Sequence, residues 1–381
     1  ILAATTFPGH SPETGTVSAC IVCGERGLAD ALLNILLFAP FGAALAFLRV
    51  RTRHIVVAAA LLSGLVETAQ LVAIPGRDPS IGDILFNTLG AAVGVAAFTS
   101  AGWWLAPKGP SVAALGWAWS AVVAAVMLGT GVLLSPSPTG SNHYGQWTPE
   151  LGHLEWYRGR VIEARIGTSP LPWGRIEDPG MVYAMLLGSE RLWVRAVAGP
   201  PPSGLVPVVA VQDQSQREIL LLGIDRDDLV LRYRTRSSAL RLDQPDLRAT
   251  GALRDVAPGD SMVIAAWRQD RSHCLGRDGE VRCGIGFTAG RGWSILMYPG
   301  TLPSPLVRFL DVAWIAVLFV PLGFWIRSTR SLPALLPAGF ALLVAPSVTG
   351  LLATPPVEIA MAIVAVVCGT LAGRQMSRGS R

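Results

Sequence analysis

Seven long apolar runs, at residues 31–48, 55–74, 84–105, 112–134, 306–326, 333–353 and 357–373, dominate this chain, and nearly all of its charges lie outside them. A bilayer-crossing helix needs about 17 to 25 mostly apolar residues, which is the length of each run. Lipid admits only helices or closed barrels, because every backbone polar group must find its partner inside the protein. The competing picture, buried helices of a large soluble protein, does not explain so many uninterrupted runs. Composition agrees: 51% of the 381 residues are hydrophobic and 15% charged, with a mean hydropathy of +0.46. The net charge of +5 comes from scattered arginines. No basic groove with interleaved aromatics accompanies them, so nucleic acid is not an expected partner.

Orientation follows from the short joints. Arg49, Arg51 and Arg53 lie between spans one and two, Lys108 between three and four, Arg327 and Arg330 between five and six, and Arg374, Arg378 and Arg381 in the tail. With alternating spans all of these fall on one side, and the positive-inside rule makes that side the cytoplasm. The expectation is a multi-pass protein of the bacterial cytoplasmic membrane, with residues 135–304 extracytoplasmic and the C-terminus cytoplasmic. Cys20, Cys23, Cys274 and Cys283 then lie on the oxidising side, where disulfides form; Cys368 falls inside the last span and reads as a packing residue.

Residues 135–150 read as a linker that leaves the membrane. Beyond it, short apolar or alternating stretches such as "RVIEARI", "MVYAMLL", "RLWVRAV", "LVPVVAV", "REILLLGI", "DLVLRYRT", "SMVIAAW" and "GWSILMY" stand between turn residues, the pattern of an antiparallel sandwich. The expected organisation is a four-span membrane domain at 1–134, the linker, an all-β domain at 151–304, and three further helices at 305–381. "HCLGRDGEVRC" reads as a hairpin turning at Asp278-Gly279, with Cys274 and Cys283 pinning its arms. The order of strands resembles concanavalin A-like or laminin-G-like sandwiches, which implies a glycan or protein partner. Trp156, Trp173, Trp193, Trp267 and Trp293 could stack on sugar rings, although core positions are the expectation for tryptophans in a sandwich.

Polar residues cluster where the first three spans meet the outer face. Asp30 and Asn34 share one helix face, as do Ser63, Glu67 and Gln70 near the end of span two, and Asp83 and Asn87 at the start of span three. Gly90 and Gly94 continue that last face and permit close helix approach. Arg77 and Asp78 occupy the loop above. Ionisable groups inside membrane helices are costly and face a cavity or one another, and Glu67, preceded by a long apolar stretch, is the strongest case. Asp30 and Asp83 could cap their helices. Three chemistries suit such a cluster. Two free helix N-termini with Arg77 would hold a phosphate or carboxylate. Asp30, Glu67 and Asp83 would hold a divalent cation. Alternatively, one carboxyl would act as a general acid or base. The five histidines are scattered, and no GxSxG, HExxH or phosphate-binding lysine loop is present.

The residues Asp30, Asn34 with "ILLFAPFG", Glu67-Thr-Ala-Gln, and "PGRDPSIGDILFNTLGAAVG" with Arg77, Asp83 and Asn87 closely resemble the VanZ-like membrane family, named for a protein associated with teicoplanin resistance. The resemblance extends over about residues 1–105, or to 134 with the next span. It carries over to Asp30, Asn34, Pro40, Gly42, Glu67, Gln70, Arg77, Asp83, Asn87, Gly90 and Gly94. The leading "TTFPG" is similar to the family's sequence after its first span, which implies a preceding helix and eight spans in all. The family implies a cell-envelope setting rather than a defined reaction. Three functions follow as expectations: binding of an anionic lipid or lipid-linked cell-wall precursor, with a contribution to glycopeptide resistance; enzymatic modification of a lipid-linked phosphate or sugar; and transport. Beyond the resemblance, Asp311 and "VPLGF" in span five loosely repeat the Asp and "APFG" of span one, and Glu358 sits near the outer side of span seven. A packing annex for the external domain is the stronger expectation for spans five to seven, and a degenerate second copy the weaker.

Overall fold

The computed structural model describes residues 21–22, 24–73, 80–107, 111–137, 142–151, 154–326 and 329–379. Arg77, Asp78, Cys20, Cys23, Lys108, Arg327, Arg381 and the leading "TTFPG" lie outside the described residues. The long helices are α1 (Gly27–Phe47), α2 (Thr52–Ala73), α3 (Ile81–Thr99), α5 (Ser111–Leu133), α7 (Ser304–Trp325), α8 (Leu336–Val348, prolonged upstream by a 3-10 turn) and α9 (Pro356–Gly379); α4 (Ala101–Leu105) and α6 (Gly180–Leu187) are short. Among the described residues, seven helices are long and apolar enough to cross a membrane. The chain is a polytopic α-helical membrane protein with an inserted β domain.

The helices form two bundles. Phe38, Ile55, Ala59, Ala91 and Val95 make the core of α1–α3. Val123 and Met127 of α5 instead join Ile315, Phe319, Leu342 and Ala362 of α7–α9. Span four therefore packs with the later spans rather than with α1–α3. Its polar surface explains the choice: the Trp119 indole donates to the Leu318 carbonyl at 2.8 Å, and Ser120 Oγ accepts from the Ala338 amide at 3.0 Å.

The tightest contacts of the two bundles follow one plan. In α1, Asp30 precedes Pro40 and Gly42; in α7, Asp311 precedes Pro321 and Gly323 at the same spacings. In α3, Asp83 precedes Ala91 and Gly94; in α9, Glu358 precedes Val366 and Gly369, again at equal spacings. A Cβ on Gly42 would strike the Ala91 carbonyl oxygen and one on Gly94 that of Ala39, while a Cβ on Gly323 would strike Val366 and one on Gly369 would strike Val320. Position for position these contacts correspond, so spans five and seven repeat the α1–α3 crossing instead of being a generic annex. The repeat is degenerate: Ile315 and Ala362 stand where Asn34 and Asn87 would be expected.

The inserted domain is a sandwich of two six-stranded antiparallel sheets. One runs, in spatial order, β4 (Gly174–Ile176), β1 (His143–Trp147), β6 (Leu205–Asp213), β7 (Glu218–Asp225), β8 (Asp228–Tyr233) and β9 (Leu247–Ala249). The other runs β12 (Glu280–Ile285), β11 (Ser272–Arg277), β10 (Ser261–Gln269), β5 (Arg191–Val197), β2 (Arg160–Ile166) and β3 (Ser169–Pro170). Their inner faces share a core that includes Val161, Leu192, Ile264, Val208, Leu222 and Leu231. Several expectations change. The expected linker at 135–150 contains β1, paired on both edges. "MVYAMLL" is helix α6, closed by Gly188 at φ 100°, and "GWSILMY" begins in a 3-10 helix at Ala289–Ile295. The Cys274–Cys283 disulfide joins β11 to β12. Cys368 lies on the exposed surface of α9 and is not a packing residue.

The sandwich rests on one set of helix ends. Leu28 and Ala29 at the start of α1 donate their amides to the Arg241 carbonyl at 3.1 and 3.3 Å, Arg236 N–H reaches Ser135 just after α5, and Leu352 N–H, between α8 and α9, reaches Phe287. Arg271 of the β10–β11 turn donates to the Ser347 carbonyl in α8 at 3.1 Å. The arginine-rich joint at 49–53 is at the opposite ends of α1 and α2.

Candidate functional site

The polar residues of α1–α3 meet in layers just beneath the sandwich. Because α1 and α3 run parallel and approach through glycine, Asn34 of α1 lies opposite Asp83 in the first turn of α3 and donates to its Oδ1 at 2.9 Å. The antiparallel α2 brings Glu67 to the start of α3, where its Oε2 accepts the Ser80 amide at 2.9 Å. One layer deeper, Asn87 Nδ2 donates to Ser63 Oγ at 2.9 Å. Glu67, Gln70, Asn87 and Ser63 are buried, whereas Asp30 is exposed and Asp83 half-buried. Asn87 Oδ1 is a buried acceptor without a hydrogen-bond partner among the described residues. A buried polar atom left unpaired is costly.

Two expectations about this cluster change. Most first-turn amides at these helix N-termini are already engaged: those of Leu28 and Ala29 by the Arg241 carbonyl, and that of Gly82 by Ser80 Oγ at 3.1 Å. Asp30 and Asp83 are accordingly first-turn residues rather than caps, in favourable register with the helix dipole. Nor do Asp30, Glu67 and Asp83 converge as an ion cage; among the described residues no group of three His, Cys, Asp or Glu side chains is arranged to hold a metal.

The roof of the cluster carries the positive charge. Arg26, just before α1, pairs with Asp243 at 2.7 Å, and Arg241 donates to the Val22 carbonyl at 2.5 Å. Burial raises the Asp243 carboxyl above the usual range; the Arg26 charge opposes that shift and the nearby Asp30 carboxylate adds to it. Arg26, Arg236 and Arg241 are exposed along this junction. None of this is visible in the sequence, since Arg241 and Asp243 are more than two hundred residues from α1.

In the second bundle the corresponding acids already hold a partner. Asp311 receives Arg291 Nε at 2.9 Å, Arg291 NH2 at 3.0 Å and the Trp293 indole at 2.8 Å. Glu358 accepts from Thr288 Oγ1 at 2.5 Å and from the Gly290 amide at 3.0 Å. All five donors come from one sandwich segment. Its acid pair therefore works as an acceptor for N–H, O–H and guanidinium groups lowered onto the helix ends.

Tryptophans in the sandwich depart from the core expectation. Trp293 is buried, but Trp156 and Trp173 are 59% and 76% exposed. Trp193 and Trp267 are half-buried on the outer face of the second sheet, under Arg165 and Arg195 in one case and Arg191 in the other. Strand alternation places the Leu192-Val194-Ala196 face inward and the tryptophans outward.

A family model described as VanZ/LLP1 matches residues 6–104. No curated protein and no solved structure matches the chain. The matched stretch contains α1, α2 and α3 and stops before α5, at the boundary between the two bundles, so the first hundred or so residues are similar to the VanZ/LLP1 family and the polar cluster lies within them.

Proposed function

We propose that the α1–α3 cluster and its arginine roof recognise a phosphate-bearing lipid headgroup at the outer leaflet, with a lipid-linked cell-wall precursor as the ligand that suits it best. The observation that carries this reading is the pairing of two opposite chemistries at one level. Exposed Arg26, Arg236 and Arg241 offer charge-assisted donors for phosphate, and the exposed Asp30 and half-buried Asp83 carboxylates bring negative charge for amide or ammonium groups to the same level, with Glu67 buried beside them on the Ser80 amide. The second bundle supports the latter role, because its matching acids are engaged by N–H and guanidinium donors. Placement at the outer leaflet rests on the arginine-rich 49–53 joint opposite the sandwich and on the sandwich's disulfide. Sequestering a cell-wall precursor would reduce its access to a glycopeptide such as teicoplanin, which would connect the site to resistance.

The test is native mass spectrometry of the full chain extracted with its lipids, comparing wild type with Arg241→Gln and Glu67→Gln. Wild type should retain an anionic or precursor lipid, and each variant should lose it by about tenfold or more, the value of one charge-assisted contact. Glu67→Leu should in addition lower the thermal midpoint, since the Ser80 amide would lose its acceptor. Equal retention of anionic and zwitterionic lipid in all samples would reject the site.

A further inference from the structure

We infer that the sandwich carries a separate saccharide-binding site at the edge formed by β4, β1 and the β6–β7 turn. A cavity of about 250 Å³ lies there, lined by Tyr144, Gln146, Trp173, Gln212, Gln214 and Gln216. Trp173 is 76% exposed and supplies the aromatic wall of this cavity. An exposed indole beside several planar amides is the chemistry that recognises a pyranose: the ring's C–H face stacks on the aromatic, and the amides exchange hydrogen bonds with its hydroxyl or N-acetyl groups. A few fixed polar groups around an apolar platform is the general form of a small-ligand site.

The frame around this cavity is held in place. The loop carrying Trp173 is secured from below by the Trp147 indole, which donates to the Leu171 carbonyl at 3.1 Å. Gly174, next to Trp173, has φ 118°, which favours glycine, and space beside it is open. On the opposite wall Asp213 accepts the Ser215 and Arg217 amides at 2.9 and 3.0 Å and Arg217 Nε at 2.9 Å. That network fixes the turn bearing Gln214 and Gln216. Gln216 adopts φ 60°, a left-handed conformation that a non-glycine residue takes at some cost. Asn142 Nδ2 donates to Gln214 Oε1 at 3.2 Å, tying that side chain to the start of β1. A bulge between Val211 and Gln212 re-aims β6 at the same place.

Position suggests the source of the sugar. Asp213 pairs with Arg234 at 3.4 Å, the Arg234 carbonyl accepts the Ser137 amide, and Ser137 follows closely on the end of α5. The cavity therefore stands at the membrane end of the sandwich, where the saccharide of a lipid-linked precursor would emerge. The inference concerns the sandwich surface alone and does not depend on the α1–α3 cluster.

The experiment uses the full chain in nanodiscs of zwitterionic lipid, titrated with a trisaccharide of N-acetylglucosamine and followed by calorimetry. Saturable binding should weaken about tenfold in Trp173→Ala, the loss of one stacking surface, and several-fold in Gln216→Ala, but be unchanged in Trp156→Ala, which removes an exposed indole elsewhere. Trp173 is exposed, so its variant should keep the wild-type thermal midpoint. A second arm presents the same trisaccharide on a polyprenyl phosphate carrier in the disc. Tighter binding there assigns the site to lipid-linked sugar, and equal binding assigns it to polymeric glycan. Absence of saturable binding in both arms, or unchanged binding by Trp173→Ala, would overturn the inference. Arg241→Gln should leave the free-sugar titration unaltered, which separates this result from the lipid site.

Discussion

Acid should loosen the sandwich through one histidine. His273, at the start of β11, is 5% exposed and stacks on Tyr233 with ring centroids 5.2 Å apart. Burial lowers its pKa from 6.5 to about 4; the Arg268 charge adds to the depression, and a hydrogen bond to the Ile285 backbone partly offsets it. Its Nδ1 has no hydrogen-bond partner among the described residues, so protonation there would place a buried donor against nothing. The folded pKa lies below the unfolded one, hence the unfolded state binds the extra proton in that interval. The stabilisation is complete above about pH 6.5 and is lost as pH falls towards 4. At about 1.36 kcal/mol per pH unit, the shift from 6.5 to about 4 is worth roughly 3 kcal/mol. For a domain of this size that is roughly 6 to 12 °C in thermal midpoint. His273→Phe keeps the stack and removes the titration. Between pH 7 and 4, the wild-type midpoint in nanodiscs, read by differential scanning fluorimetry, should fall by that much more than the variant's. Carboxylates titrate equally in both proteins and cancel in the comparison. Parallel pH profiles would show that the His273 environment does not hold the neutral form.

Two further outcomes concern the helix crossings. Gly94→Val should separate α1 from α3, break the Asn34–Asp83 bond and lower the thermal midpoint sharply, whereas Gly64→Ala, at a position with open space, should be neutral or slightly stabilising; a tolerated Gly94→Val would refute the close crossing. Asp311→Asn should cost about 2 kcal/mol, discounted because Arg291 is 24% exposed, and should increase hydrogen exchange of segment 288–293. Unchanged exchange there would show that the acid does not anchor the sandwich.

The spans were legible because a membrane helix is specified by length and apolarity alone, and the β11–β12 hairpin because Asp278-Gly279 and the flanking cysteines state both the turn and its closure. Association between segments was not legible. Nothing local tells Trp119 and Ser120 of α5 to seek α7 and α8, or Arg26 to pair with Asp243. "MVYAMLL" shows why short apolar runs mislead: seven apolar residues in a row carry no polar/apolar periodicity that separates helix from strand, and only Gly188 marks the helical end. The outward tryptophans were missed because arginine cover on one sheet face is a cross-strand property; Trp193 is covered by Arg165 of a different strand. Within the polar cluster, the shared depth of Asn34, Glu67 and Asp83 was readable from helical spacing. The capping of both helix ends depended on Ser80 and on a carbonyl from the distant residue 241.

Leu134 and Leu351 are both fully or almost fully buried within the sandwich's own core, at 2% and 0% exposure, although one comes directly after α5 and the other from the loop between α8 and α9. The β domain is thus finished by a residue synthesised after two more helices have entered the bilayer. In chain order the place that Leu351 fills is the last of the core to be supplied, after α7 and α8. Completion of the soluble core is thereby tied to the placement of α7 and α8, whose connection to α9 supplies Leu351.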